Sequence, residues 1–213
     1  MGKSKKHSAL QIWLGTGMLI LGVIMATGCG QKDPEKGADG TEQTVAEGET
    51  QETDKTESGA ASGSVSEEQL PVFDVSSTSL EDGNWLTETG AKHENRSPQL
   101  SWDAIDGADR YVVLMLDKDA GNWLHWFEIV SQTELEAGMF SGKENGYVGP
   151  YPPETHEYDV YVIALAGEPE KSSFLLDTTG DSIRDKLTML NTAKDGSVGN
   201  VLSYGVVKGL YTP

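Results

Sequence analysis

Cysteine is nearly missing from this chain: its 213 residues include one, Cys29. A single thiol closes no disulfide within the chain, so the folded part must be held by its core. Basic residues are scarce as well, 16 Lys and Arg against 34 Asp and Glu, for a formal net charge of −18. That balance argues against nucleic acid as a partner, because such a surface needs a basic patch to neutralise phosphates. It argues equally against electrostatic adsorption of the domain to anionic lipid. Neither H-E-x-x-H nor G-x-S-x-G occurs in the chain, which leaves metalloprotease and serine-hydrolase chemistry without their usual frames. Long hydrophobic runs are confined to one stretch, Ala9–Gly28.

That stretch follows Lys3, Lys5 and Lys6 and ends at Cys29, the layout of a secretory signal peptide. Ala26-Thr27-Gly28-Cys29 resembles a bacterial lipobox, which implies a signal peptide over 1–28 and a lipid on Cys29. An uncleaved anchor, in a run nearly long enough to span a bilayer, and an ordinary cleaved signal are the other readings. The lipoprotein and the uncleaved anchor both place the domain outside the cytoplasm and tethered to a membrane. Residues 29–70 read as a linker. From Gly30 to Gln69 there is no aromatic residue, and eleven Asp or Glu stand against three Lys. Such a segment buries too little apolar surface to offset its ordering entropy and is extended by self-repulsion.

The folded domain is expected over 71–213, long enough for one sizeable core. Its periodic signals are mostly those of strands. Tyr111–Leu116 is a continuous apolar run, as in a strand covered on both faces. Leu124–Val130 alternates, with Leu124, Trp126 and Glu128 on one side and His125, Phe127 and Ile129 on the other. Tyr158–Leu165 is rich in Tyr, Val and Ile, and Val201–Tyr211 reads as a last strand interrupted by Gly205 and Gly209. One helix is predicted, capped by Asp181 or Ser182, with Ile183, Leu187 and Leu190 at helical spacing. Many β-segments and one late helix indicate a mainly β fold, a β-sandwich of two packed sheets with peripheral helices.

Chemistry-bearing residues concentrate between Asp117 and Tyr158. In a strand, residues two apart share a face, so Asp117 and Asp119 are expected to project together, with Lys118 opposite. His156 and Tyr158 repeat that spacing. With His125 and the glycine-proline loop, they read as the lining of one polar pocket at the ends of adjacent strands. Imidazole and phenol groups donate hydrogen bonds to phosphate oxygens, and a glycine allows a backbone N–H to approach closely. The carboxylates would fix the tautomer of the imidazoles and hold them charged. Trp126 and Tyr147 read as packing, Trp123 as core or pocket rim, and Pro152 and Pro153 as loop-shaping.

Four blocks in order, NRSPQLSW (Asn95–Trp102), DKDA (Asp117–Ala120), HW (His125–Trp126) and GPYPP followed by His156 and Tyr158, resemble the phosphatidylethanolamine-binding protein family. The likeness is to its bacterial, Raf-kinase-inhibitor-like branch and covers about the last two thirds of the chain. It implies a sandwich with a ligand pocket at one end, lined by Asp117, Asp119, His125, Gly149, Pro150, His156 and Tyr158. The expected ligand is a small anion or a phosphorylated head group such as phosphoethanolamine, and the expected role is binding, with possible modulation of another exported protein left open. Enzymatic activity, a cofactor and a resident metal are not expected, and a homodimer is left open. Two other functions remain in view: a metal-dependent hydrolase using two Asp and two His, and a protease inhibitor. Lys118 and Gly121 stand where the family usually has prolines.

Overall fold

The computed structural model describes residues 63–213. The signal-peptide reading, the lipidation of Cys29 and the linker as far as residue 62 lie outside those residues. Strands in chain order are β1 (Val75–Ser76), β2 (Leu80–Glu81), β3 (Asn84–Trp85), β4 (Leu100–Trp102), β5 (Arg110–Asp117), β6 (Trp123–Val130), β7 (Glu134–Leu135), β8 (His156–Leu165) and β9 (Val201–Tyr211); the helix α1 (Ile183–Leu190) precedes β9. They form a six-stranded sheet of order β2-β3-β9-β8-β5-β6 and a three-stranded sheet of order β1-β4-β7. Neighbours are antiparallel except β3 and β9, which pair in parallel. β9 runs unbroken through Gly205 and Gly209.

The large sheet is covered on both faces, which explains why β5 shows no polar alternation. Tyr111, Val113 and Met115 of β5 and Val160, Val162 and Ala164 of β8 meet Leu100, Trp102 and Leu135 of the small sheet. The intervening residues Val112, Leu114, Leu116, Tyr161, Ile163 and Leu165 pack beneath Ile183, Leu187 and Leu190 of α1. Each such side chain contributes about 1.5–3 kcal/mol by leaving water. The helix begins at Ser182, whose Oγ accepts the Asp185 N–H at 3.2 Å while the Asp185 carboxylate accepts the Ser182 N–H at 3.2 Å. This reciprocal cap satisfies two backbone donors that the first turn would otherwise leave free.

The domain also begins earlier than composition suggested. Val65 N–H donates to Thr188 Oγ1 at 3.3 Å, Asn191 Nδ2 donates to Gly63 O at 3.0 Å, and Val65 and Leu70 pack against the core under α1. Residues 63–70, read as the end of the linker, are therefore joined to the helix. Two apolar side chains and a serine-capped turn at Glu67–Gln69 suffice to dock an otherwise polar segment.

Candidate functional site

The site forms where β5 stops and β8 begins. Asp117 pairs with Tyr158 across the ladder, and strand parity puts Asp117, Tyr158 and His156 on the face that carries Met115 and Val160. Asp117 is 3% exposed and uses both carboxylate oxygens. Oδ1 accepts the backbone N–H groups of Asp119 and Ala120, each at 3.0 Å, while Oδ2 accepts the Nδ1–H of His156 at 2.8 Å. An ionised carboxylate only accepts, so His156 carries hydrogen on Nδ1 and Nε2 is its second ring nitrogen.

The same bonds end the strand and correct the expectation for Asp119. By accepting N–H groups two and three residues ahead, Asp117 turns the chain out of β geometry, so the alternation that would bring Asp119 to the pocket ceases. Asp119 is exposed, and its carboxylate instead accepts the Glu157 N–H at 2.8 Å. The turn closes through Gly121 (φ 64°) and Asn122 (φ 55°). Proline, fixed near φ −65°, cannot occupy the Gly121 position, so the departure from the family pattern there is a different turn. Lys118 Nζ donates to Asn122 Oδ1 at 3.0 Å.

His125 reaches the cavity by a device that alternation does not reveal. Met115 pairs with Trp126 and Leu116 with Leu124, which leaves His125 as the extra residue of a β-bulge. Leu124 therefore joins the core under α1, Trp126 stays in the core between the sheets, and His125 sits beside Tyr158 with ring centroids 5.2 Å apart. The expected separation of His125 and Trp126 onto opposite faces does not occur. His125 Nδ1 lies 2.7 Å from Val148 O. A carbonyl only accepts, so Nδ1 bears hydrogen and the neutral ring keeps a lone pair on Nε2.

Burial lowers the His125 pKa, outweighing the opposing hydrogen bond to Val148 and the charge of Asp117. The ring is thus held neutral, contrary to the expectation that the carboxylates keep both imidazoles charged. The sign for stability follows. Because the folded pKa lies below the unfolded value near 6.5, unfolding takes up a proton as pH falls through that value. Stability present above about pH 6.5 is lost as pH falls toward the folded pKa, with a slope of at most about 1.4 kcal/mol per pH unit. His125→Gln is expected to flatten the decline between pH 6.5 and 5.5 in thermal melts; an unchanged profile would assign the decline to other groups.

The cavity holds about 150 Å³, room for roughly five waters at liquid density. Of the expected residues, Asp117, His125, His156 and Tyr158 line it, joined by Ala120, Trp123, Tyr151, Pro152 and Pro153. Gly149 and Pro150 do not line it. The Gly149 N–H donates to Asn95 Oδ1 at 2.7 Å, and Pro150 O accepts the Ala91 N–H at 2.9 Å. Both anchor the proline loop from behind, and the Gly149 N–H is already committed.

Tyr147 packs edge-on against Trp126 at 5.6 Å and donates to Thr89 O at 2.8 Å. The Tyr158 hydroxyl is buried and feels the charge of Asp117, yet it makes no hydrogen bond of sound geometry. Burial, with Asp117 adding to it, pushes that phenol strongly up and keeps it protonated. Among the described residues, no group of three or more His, Cys, Asp or Glu converges as a metal site.

Sequence reasoning gave no role to Asp177, which organises the cavity mouth. Its Oδ1 accepts from Tyr151 Oη at 2.5 Å and from Trp123 Nε1 at 3.3 Å, and Lys143 Nζ lies 3.6 Å from Oδ2. Partial burial raises its pKa, but the hydrogen bonds from Tyr151 and Trp123 and the nearby charge of Lys143 prevail and hold the carboxyl below its ordinary value. Burial and then the Asp177 carboxylate push Tyr151 up to about 12. No motif surrounds Asp177 in the sequence. Tyr151, by contrast, stands inside the GPYPP block and Asn95 opens the NRSPQLSW block, so both had a visible signal.

No curated protein matches the chain. Among solved structures, it is similar to a phosphatidylethanolamine-binding protein homologue from Chlamydia trachomatis, described as putative, at 21% identity and TM-score 0.46, covering 65% of this chain and 96% of that one. It is also similar to Escherichia coli YbcL, described as a new member of the mammalian PEBP family, at 22% identity and TM-score 0.48, covering 66% of this chain and 98% of that one. The family model described as phosphatidylethanolamine-binding protein matches residues 76–212. On that match over most of the folded domain, the chain belongs to the phosphatidylethanolamine-binding protein family.

Proposed function

We propose that this protein is an exported, lipid-anchored binding module whose cavity takes a small phosphorylated head group of the phosphoethanolamine kind. Modulation of another exported protein is the output we assign to that binding, and catalysis has no part in it. The observation that carries the reading is the bond at 2.8 Å between buried Asp117 and half-buried His156 in a cavity of about 150 Å³. With Nδ1–H committed to Asp117, a phosphate oxygen is served when Nε2 also bears hydrogen. The imidazolium then donates a charge-assisted bond while Asp117 balances its charge. The small volume suits a head group, and aromatic and proline side chains form its walls.

Titration calorimetry with phosphoethanolamine tests this. His156→Ala is expected to cost about 1.5–3 kcal/mol, roughly a ten- to hundredfold loss of affinity. Lys118→Ala is expected to be silent, since that side chain is turned to Asn122. Equal affinities for both variants and the wild type would put the ligand elsewhere. Phosphoester turnover abolished by a chelator would replace the binding reading with a metal-dependent hydrolase.

Support for export and anchoring comes from the sequence alone, the basic and apolar run ending at Cys29. Cys29→Ser is expected to release the domain to the medium or block its processing. Detergent partitioning identical to wild type would sink the anchor.

A further inference from the structure

Asp177 holds two walls of the cavity, Tyr151 and Trp123, from a loop that spans residues 174–181. The middle of that loop is stitched to β6. Asp177 N–H donates to Leu124 O at 2.8 Å and Leu124 N–H donates to Thr178 O at 3.0 Å, beside the bulge that places His125 at the cavity. Asp177 itself sits at φ 61°, a left-handed conformation that persists where the surroundings enforce it. Both ends of the loop meet a single buried ammonium. Lys186 is 1% exposed, its Nζ donates to Asp181 O at 2.7 Å, and the same atom lies 5.3 Å from the ring centroid of Phe174. On α1 this lysine shares the buried stripe of Ile183 and Leu190, where helical periodicity calls for an apolar side chain. No ion pair among the described residues includes it, and burial lowers its pKa, outweighing the charges of Asp181 and Asp185. An ammonium buried without a carboxylate is unfavourable unless other contacts compensate it. Here a desolvated ring face and a charge-assisted bond to a carbonyl do so.

We propose that Lys186 is a positioning residue for the cavity: by drawing Phe174 and Asp181 to one point it fixes the loop between them, and through Asp177 it sets the Tyr151 and Trp123 walls. Packing alone does not do this. Phe174 stacks edge-on against Phe127 at 5.1 Å and Leu176 joins the core under α1, which keeps the loop on the sheet. Apolar contacts are non-directional, however, and leave its backbone free to shift along β6. The bond to Asp181 O and the ring contact give the loop a fixed root at each end. The effect on ligand affinity rests on the phosphate reading above, whereas the effect on the loop does not.

The test is Lys186→Met in the whole protein, which keeps an apolar stem and removes the charge. The melting temperature is expected to hold or rise, because no buried ammonium is left to compensate. Native-state amide exchange at Leu124 and Asp177 is expected to quicken on the order of tenfold while the amides of β8 keep their protection. Phosphoethanolamine affinity by calorimetry is expected to fall roughly three- to tenfold. Phe174→Leu, which deletes the ring and keeps an apolar contact, is expected to act alike. The double variant is expected to be no worse than either single one, because both break the same link. Phe174→Leu carries the comparison by itself if Lys186→Met does not fold. Unchanged exchange at Leu124 and Asp177 overturns the proposal. A lowered melting temperature with exchange quickened across the whole sheet makes Lys186 a general support and overturns it too, as does local quickening with full affinity. A wild type that fails to bind phosphoethanolamine overturns the phosphate reading, and exchange at Leu124 and Asp177 then decides the role of Lys186.

Discussion

Asp117→Ala is expected to lower the stability of the domain by about 3–5 kcal/mol, the cost of stranding three hydrogen-bond donors that one buried carboxylate satisfies, and to abolish phosphoethanolamine binding. The side chain is 3% exposed and makes three bonds. Removing it strands the Nδ1–H of His156 and two backbone N–H groups at the β5–β6 turn. Each donor left unsatisfied costs about 1–3 kcal/mol when buried, and the two backbone donors belong to the exposed Asp119 and half-buried Ala120, so the total falls at the low end of that sum. For a domain of this size the melting temperature is expected to fall by roughly 6–20 °C. Asp117→Asn separates the two roles. Its Oδ1 can still accept from Asp119 and Ala120, so much of the stability returns. Its amide, however, donates to His156 Nδ1 and forces the hydrogen onto Nε2. The neutral ring then offers the ligand an Nε2–H donor without a carboxylate behind it, and binding is expected to be weaker than in the wild type but still measurable by calorimetry. An Asp117→Ala protein that melts within 2 °C of wild type would mean that these bonds are not made in solution.

The same aspartate marks where the sequence stops being legible. The double burial of β5, the serine cap of α1 and the grouping of Asp117, His156 and Tyr158 all follow from period and spacing, because strand and helix periods continue through those residues. Asp119 was misplaced because the period ends one residue earlier, when the Asp117 side chain captures the next two N–H groups. His125 was placed in the site by its motif but on the wrong side of Trp126. A bulge is set by pairing with β5 and leaves no trace in the alternation of Leu124–Val130. Asp177 was invisible for another reason. It sits 54 residues from Trp123 in sequence, in a loop with no regular period, and only the packing of that loop beside β6 brings it to the mouth. The linker boundary failed by composition, since Val65 and Leu70 are too few to stand out in a polar segment yet enough to dock it.

Gly149→Ala is expected to destabilise the domain by about 3 kcal/mol, the upper end of what overpacking costs, although the glycine does not touch the cavity. A methyl group at this position would collide with the carbonyl oxygen of Thr89 and would stand 2.9 Å from Ala91 N and 3.0 Å from Gly90 C. All three are backbone atoms, so no rotamer change relieves the contact. The segment they belong to cannot easily retreat, because Tyr147 Oη binds Thr89 O at 2.8 Å and Pro150 O binds Ala91 N at 2.9 Å. Asn95 holds the Gly149 N–H at 2.7 Å from the same side. Displacing Gly149 therefore moves Tyr151, Pro152 and Pro153 together, three walls of the cavity. The melting temperature is expected to fall by roughly 6–12 °C, with phosphoethanolamine affinity falling in the fraction that remains folded. Asn95→Ala leaves the backbone contact intact and removes one hydrogen bond, so its expected cost is smaller, about 1–2 kcal/mol. If Gly149→Ala proved milder than Asn95→Ala, the loop would be positioned by its hydrogen bonds, and the close approach of the Thr89 and Gly149 backbones would not be what sets the cavity wall.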